Sequence, residues 1–340
     1  MIPTVSQQQH YSNTNSQNHS SYQLNQHNAS QIHQNLEQNY QQRSDSFLAQ
    51  PLQQKSNNQS ITPCTRKEAW TIQDFKNVQS IGQGKFGKVF RAIEKNSNKQ
   101  VALKMVYKNQ LEQYDFFTQM KKELEIQWRL RHPNIIRLFG YFYDEKNIYV
   151  VLEYAQYGNL YQKLRKEKYF NEDKARVVIR QVVEGLVYMQ ERNVIHRDIK
   201  PENILIMDAE KMHVKLCDFG WSTHTIDERR MTFCGTVDYV APELIYQQPY
   251  DDKIDIWAVG ILTYELLTGS APFTGQNEND TYSNITNLDL QSNQIYESIS
   301  AEAKDFITGI LQSNPTKRLS LENMLKHKWL RETSDFSCNF

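Results

Sequence analysis

His196-Arg197-Asp198-Ile199-Lys200-Pro201-Glu202-Asn203 is followed a short way on by Asp218-Phe219-Gly220. The first run offers a carboxylate that can accept or orient a hydroxyl proton (Asp198), a lysine that can neutralise a transferred phosphoryl group (Lys200) and an amide that can bind a metal (Asn203). The second run adds a metal-binding carboxylate, Asp218. In-line phosphoryl transfer needs these groups, because its catalysis is mostly positioning and charge neutralisation. The amide and carboxylate oxygens suit magnesium, which prefers hard oxygen ligands. Any one of these residues is ordinarily a solvated or structural polar group. The ordered set at these spacings is not a coincidence.

Upstream, Gly82-Gln83-Gly84-Lys85-Phe86-Gly87-Lys88-Val89 is a glycine-rich run of the kind that lets backbone amides approach phosphates closely. Dinucleotide-binding folds also use GxGxxG, but there the glycines open a helix. Here Val89-Phe90-Arg91-Ala92-Ile93 follows and reads as a strand, which predicts a hairpin covering a nucleotide. Val101-Ala102-Leu103-Lys104 stands on the next expected strand, and Glu123 lies in the helix after it, with Glu125 as a rival partner for Lys104. In this order the segments resemble the protein-kinase signature. The resemblance implies that Lys104 holds the α- and β-phosphates of ATP, that Glu123 fixes Lys104, and that Asn203 and Asp218 bind Mg2+.

Composition sets the limits. Among 340 residues, 39 are basic and 39 acidic, so no bulk charge favours nucleic acid or an anionic membrane. The four cysteines, Cys64, Cys217, Cys234 and Cys338, are scattered without a CxxC pair, which argues for free thiols in a reducing compartment and against a zinc site. No secretory signal and no membrane-length apolar run is visible, so a soluble intracellular protein is expected. Residues 1–65 are rich in Gln, Asn, Ser and His, with too little patterned apolar surface to offset the entropy of ordering. They read as a disordered tail, with self-association as the sharper alternative.

Short strands are expected at 75–82, 86–93, 100–106, 135–143 and 147–154. Helices are expected at 116–131, 173–192, 255–269 and 301–312. A strand-rich first part and a helix-rich second part predict two lobes. The fold class is α+β: a bilobal protein-kinase fold over 75–330, with a small antiparallel-sheet N-lobe carrying one main helix (75–154) and a mostly helical C-lobe (158–330). Residues 331–340 form a short C-terminal tail.

From Phe75 to Trp329 the chain resembles a eukaryotic protein kinase throughout, with further landmarks at Ala241-Pro242-Glu243, Asp255-Ile256-Trp257-Ala258-Val259-Gly260 and Arg318. Within kinases it is most similar to the Aurora group. That likeness rests on Glu123-Leu124-Glu125-Ile126-Gln127, Leu130-Arg131-His132-Pro133-Asn134-Ile135, Arg137-Leu138-Phe139-Gly140-Tyr141-Phe142, Leu152-Glu153-Tyr154-Ala155, Asp218-Phe219-Gly220-Trp221-Ser222 and Arg229-Arg230-Met231-Thr232-Phe233-Cys234-Gly235-Thr236. Gln127 stands where most kinases carry an apolar residue. Three departures stand out: Ala241 in place of a common Pro, Lys122 in place of a clamping Arg, and an Asn-rich stretch from Gln276 to Asn293.

The resemblance implies an adenine pocket of Ile81, Val89 and Ala102 above and Leu205 below, read by backbone groups at Glu153 and Ala155, with Gly82, Gly84 and Gly87 over the phosphates. It implies a buried Glu243–Arg318 ion pair and a catalytic-loop brace at Asp255. Lys200 two positions after Asp198 points to Ser/Thr substrates. Glu202 and Glu265 align with carboxylates that recognise an Arg two residues before the phosphoacceptor, so Arg-x-Ser/Thr proteins are the expected partners. Thr232 is the expected regulatory phosphosite, with Arg197, Lys122 and Arg230 as its clamp. An activator docking on the N-lobe near Tyr141 is implied too, as is work in cytoplasm and nucleus at spindle, centrosome or basal body, kinetochore or midbody. A basophilic Ser/Thr kinase of another group, or a kinase-fold scaffold, remain the alternatives.

Overall fold

The computed structural model describes residues 70–84, 87–113, 116–219, 223–224, 237–290 and 293–331. All of them lie within one structural unit, Cys64–Phe340. The Gln/Asn-rich segment, the expected C-terminal tail from 332 on, Arg230 and Thr232 lie outside the described residues, and Arg331, expected to open that tail, ends a helix instead.

The first lobe is a five-stranded antiparallel sheet: β1 (Phe75–Gly84), β2 (Gly87–Glu94), β3 (Gln100–Tyr107), β4 (Leu138–Tyr143) and β5 (Asn147–Glu153), in the order β1-β2-β3-β5-β4. The two-residue period of a strand decides what each face does. On β3, Val101 and Leu103 join Phe75, Ala92, Phe142, Tyr149 and Val151 in one apolar cluster. Ala102, Lys104 and Val106 project from the opposite face. Val106 there packs with Met120 and Leu124 of the main helix of this lobe, α2 (Phe117–Arg129). Register places Val89 across from Lys104, and Arg91 across from Ala102.

Two expectations need correction here. The strand expected from residue 135 starts at Leu138. Ile135 and Ile136 are buried for another reason: Ile135 forms a parallel bridge with Leu216, and the Ile136 N–H donates to the Leu216 carbonyl at 2.9 Å. A short helix, α1 (Lys108–Gln113), was not expected, because Lys-Asn-Gln-Leu-Glu-Gln holds one apolar residue and no periodicity. Its Leu111 is buried and ties it to the lobe.

The second lobe contains α3 (Leu160–Glu167), α4 (Glu172–Gln190), the short strands β6 (Val194–Ile195), β7 (Ile204–Asp208), β8 (His213–Leu216) and β9 (Thr223–His224), and then α5 (Pro242–Ile245), α6 (Lys253–Thr268), α7 (Glu278–Asn287), α8 (Gln294–Ser298), α9 (Ala301–Ile310), α10 (Leu321–Lys326) and α11 (Lys328–Arg331). Nearly every residue of α6 is buried, so it is the lobe's central post, apolar on all sides. The Asn-rich stretch is ordered where it is described. Asn277 caps α7 by accepting the Asp280 N–H at 3.0 Å, and Asn293 caps α8. Among the described residues no helix is long and apolar enough to cross a membrane.

Candidate active site

Two carboxylate oxygens of α6 organise the catalytic loop. Asp255 accepts the His196 N–H at 2.7 Å and the Arg197 N–H at 2.8 Å. Burial pushes its carboxyl up to about 7, against those two hydrogen bonds, which favour the ionised form. The bonds hold Arg197 at φ 73°, a left-handed conformation that costs a non-glycine residue energy. The loop is thereby turned so that Asp198 follows in fixed position. His196 is fully buried. Its Nδ1 accepts the Asp198 N–H at 3.3 Å and its Nε2 lies 3.1 Å from the Cys217 carbonyl, so Nε2 carries the hydrogen. Burial lowers its pKa and keeps it neutral.

The Asp198 carboxylate is loaded on one side. Its Oδ2 receives the Asn203 amide at 2.7 Å and the Lys200 ammonium at 2.9 Å. Asn203 Nδ2 also donates to the Asp198 carbonyl at 2.8 Å. Oδ1 has no partner among the described residues, so it is the oxygen left to meet an incoming hydroxyl. With its NH2 engaged by Asp198, Asn203 offers its own oxygen to the other side.

Asp218 also sits at positive φ, 62°. Its Oδ1 is 3.1 Å from Lys104 Nζ, and Lys104 is 3.3 Å from Glu123 Oε1. Of the two rival glutamates, Glu123 is the one that reaches Lys104. Burial pulls the Lys104 pKa down, but the two carboxylates outweigh it and hold the ammonium above its ordinary range. Burial raises Glu123, with Lys104 opposing. Phe219 is fully buried with its ring 5.1 Å from that of His196, which pins the segment carrying Asp218. Gln127 is buried as well, and its amide donates to the Ile136 carbonyl at 3.3 Å, which satisfies a polar group in an apolar position. Burial pushes the Cys217 thiol up, so it is a protonated, unreactive neighbour.

The three glycines divide. A Cβ on Gly87 would lie 1.7 Å from the Met105 carbonyl oxygen, so glycine there is demanded by the β2–β3 pairing. A Cβ on Gly84 would meet nothing, and one on Gly82 only Val89 at 4.0 Å. Among the described residues no packing requires glycine at those two positions, which leaves room for a ligand beneath them. The open space over Gly82 and Gly84 and the hard-oxygen pair of Asn203 and Asp218 both fit a metal–nucleotide complex. Among the described residues no group of three or more His, Cys, Asp or Glu could hold a metal.

Ile81, Val89 and Ala102 come from the first lobe and Leu205, on β7, from the second. Between the lobes, Glu153 keeps its carboxylate on Lys215 at 2.8 Å and on the Arg137 N–H at 3.3 Å, so only its backbone can serve a ligand. The Ala155 backbone N–H and C=O have no partner among the described residues. Glu265 accepts a hydrogen bond from the Tyr239 hydroxyl. Burial raises its pKa, and the charges of Glu202 and Asp238 add to the rise. The Tyr239 contact was not legible in the sequence, because the two residues lie 26 apart on different elements. Arg197 lies over the Tyr250 ring at 5.5 Å, and Lys122 is on α2. Glu243 and Arg318 form a buried two-pronged ion pair, both bonds at 2.7 Å.

The model of the protein kinase domain family matches residues 75–330. Serine/threonine-protein kinase Aurora-1 of Arabidopsis thaliana is 46% identical over 269 residues, covering 79% of this chain and 90% of the relative. Aurora kinase C of Mus musculus is 44% identical, covering 79% and 96%, and an Aurora kinase of Dictyostelium discoideum is 44% identical, covering 78% and 68%. Kinases of this family use ATP with a divalent metal. The chain belongs to the protein kinase family and is a serine/threonine kinase of the Aurora type.

Proposed function

We propose that the cleft transfers the γ-phosphate of ATP to Ser or Thr in Arg-x-Ser/Thr segments of protein substrates. The one-sided loading of Asp198 supports this reading best: Lys200 and Asn203 fix Oδ2, and Oδ1 meets no donor among the described residues. A substrate hydroxyl bonded to Oδ1 is oriented for in-line attack and hands over its proton there. Lys200 stays beside the transferred group and offsets its charge. Lys104, fixed by Glu123, holds the α- and β-phosphates. Asn203 and Asp218 hold Mg2+, which neutralises charge on the phosphates when bound. Ile81, Val89, Ala102 and Leu205 enclose adenine, the backbone at Glu153 and Ala155 reads its edge, and Gly82 and Gly84 leave room for the phosphates.

Glu202 and the partly buried Glu265 supply the negative field for the substrate Arg, with Asp238 adding to it. Phosphorylated Thr232 orders its loop through Arg197, Lys122 and Arg230. Arg230-Met231-Thr232 fits the same Arg-x-Thr pattern, so that modification arises by transfer between copies. Residues 1–65 act as a tail outside the kinase domain. An activator docks on the N-lobe, and the work is done at spindle-associated structures, as the Aurora likeness suggests.

A peptide array phosphorylated by the purified chain tests the substrate reading. Peptides with Arg two residues before the acceptor are expected to be labelled at least tenfold better than their Ala counterparts. Equal labelling overturns the assignment of Glu202 and Glu265. Thr232→Ala is expected to lower kcat at least tenfold; full activity in that variant sinks the switch.

A further inference from the structure

Between Arg129 and Arg137 the sequence carries three arginines and a histidine and no acidic residue. The run leaves the end of α2, passes His132-Pro133-Asn134 and enters β4 at Leu138. Arg131 and Arg137 are both exposed. Neither guanidinium enters an ion pair among the described residues, whereas Lys163, Lys174, Lys304 and Lys328 on the second lobe each hold a carboxylate. A lone surface arginine is ordinarily just solvated, but these two act on each other. Burial, and after it the charge of Arg137, push the Arg131 guanidinium below its ordinary range, with Tyr188 opposing. Like charges held together without a counter-ion repel, and a bound anion relieves the repulsion.

The cations are seated on rings. Arg131 lies over Trp128 at 5.4 Å, Arg137 over Phe139 at 5.8 Å and Arg192 over Tyr188 at 3.5 Å. Tyr188, near the end of α4, joins the parts. Its hydroxyl accepts the Arg131 N–H at 2.8 Å, and its ring lies 5.0 Å from that of His132. Two nearby acids are already engaged, Glu191 with Arg192 at 3.2 Å and Glu153 with Lys215 at 2.8 Å. The charges of Arg131 and Arg137 are therefore left over. Arg131 uses one N–H on the Leu130 carbonyl at 2.8 Å, and the Arg137 side chain makes no hydrogen bond among the described residues. The remaining N–H groups of a guanidinium form a planar fork that matches a carboxylate. Phe139, 36% exposed, adds an apolar surface beside Arg137.

We propose that this face, built on Arg131, Arg137 and Phe139 with Tyr188 and Arg192 at its edge, docks an acidic segment of a protein partner that carries an apolar side chain among its carboxylates. The carboxylates take the free edges of Arg131 and Arg137, and the apolar side chain covers Phe139. None of these residues belongs to the catalytic or nucleotide site. Nucleic acid fits less well, because two uncompensated cations release too few counterions to hold a polyanion at physiological salt. A lipid surface is ordinarily held by a cluster of about four to eight basic residues.

A fluorescein-labelled peptide, Glu-Glu-Phe-Glu-Glu, titrated with the full chain and followed by anisotropy tests the proposal. It is expected to bind with a Kd below about 100 μM at low salt. Affinity should fall at least tenfold in the double variant Arg131→Gln with Arg137→Gln, and at least threefold in Arg137→Gln alone. Should the double variant melt abnormally, the single variant decides, since its side chain holds nothing else in place. The neutral peptide Gln-Gln-Phe-Gln-Gln should bind at least tenfold more weakly. No binding of the acidic peptide, equal affinity in the parent and Arg137→Gln, or equal binding of the neutral peptide overturns the proposal. A single-stranded oligothymidine or phosphatidylserine vesicles that bind more tightly than the peptide, and lose affinity in the same variants, overturn it in favour of that partner.

Discussion

Asp198 must be held rigidly and yet keep one oxygen available. Its neighbours solve this by crowding Oδ2 alone, with Asn203 at 2.7 Å and Lys200 at 2.9 Å. Asp198→Asn keeps the shape but cannot take a proton, so kcat is expected to fall by about 10²- to 10⁴-fold. The KM for ATP should change much less than kcat, since Asp198 meets the proposed nucleotide site only through the Asn203 amide, a bond that the isosteric Asn side chain can still accept through its oxygen; steady-state kinetics with ATP varied checks both. The nearness of these groups was legible because one eight-residue run holds Asp198, Lys200, Glu202 and Asn203. The field around Glu265 was not, because Tyr239 and Asp238 reach it through folding alone. That field has a consequence in pH. Burial and the charges of Glu202 and Asp238 raise the Glu265 pKa, and Tyr239 donates a hydrogen bond that opposes the rise. A substrate arginine favours the ionised carboxylate, so binding releases a proton wherever Glu265 is protonated in the free enzyme. The KM for an Arg-x-Ser peptide should therefore rise as pH falls, and begin to rise above the range of an ordinary glutamate. A peptide with Ala in place of Arg should show no such rise, and a pH series with both peptides decides the point.

At the scale of elements, the periodic segments were the readable ones. The 100–106 run that carries Lys104 became β3, and the apolar face of the 173–192 run became α4. What escaped was carried by long-range contact. Ile135 and Ile136 looked like strand residues because they are apolar, but they are buried against Leu216 before β4 begins. The Asn-rich stretch departs from the family pattern, yet two of its asparagines cap helices. The glycine-rich hairpin was legible as a motif, but not the division of labour within it. Gly87→Ala would drive a Cβ into the Met105 carbonyl and is expected to cost roughly 1–3 kcal/mol of stability. Gly84→Ala meets open space, so its melting temperature should stay within about a degree of the parent while its KM for ATP rises. Thermal melts read with ATP titrations separate the two, and similar losses of stability in both would contradict the open cradle. The Glu243–Arg318 pair ties the start of α5 to the loop before α10. Arg318→Leu leaves a buried carboxylate unpaired and is expected to destabilise the fold by about 3–5 kcal/mol, measured by urea unfolding.

On the scale of the whole molecule, the proposed site is divided between lobes whose apolar cores are distinct, except that Ile126 of α2 and Leu130 at its end pack into the core of the second lobe. Lys104 and the glycines belong to the sheet, Asp198, Asn203 and Asp218 to the helical lobe, and the chain crosses between them at Glu153 to Ala155. The Lys104–Asp218 bond at 3.1 Å is a cross-lobe link between partly exposed side chains, and such a pair contributes little by itself. A nucleotide gripped from both sides stabilises the two lobes together. Ligand at about one hundred times its Kd adds roughly 2.7 kcal/mol to a native state that alone binds it. For a kinase domain of this size that corresponds to a rise in Tm of roughly 5–11 °C. The full chain with ATP and magnesium should show that rise. The double variant Lys104→Met with Asp218→Asn should show less than about 2 °C at the same concentrations, because it lacks both the phosphate contact and one metal ligand. Differential scanning calorimetry with ATP alone, magnesium alone and both resolves the contributions. A double variant that retains the full rise would mean that the nucleotide is held without the cross-lobe grip, and the assignment of phosphates to Lys104 and metal to Asp218 would fall.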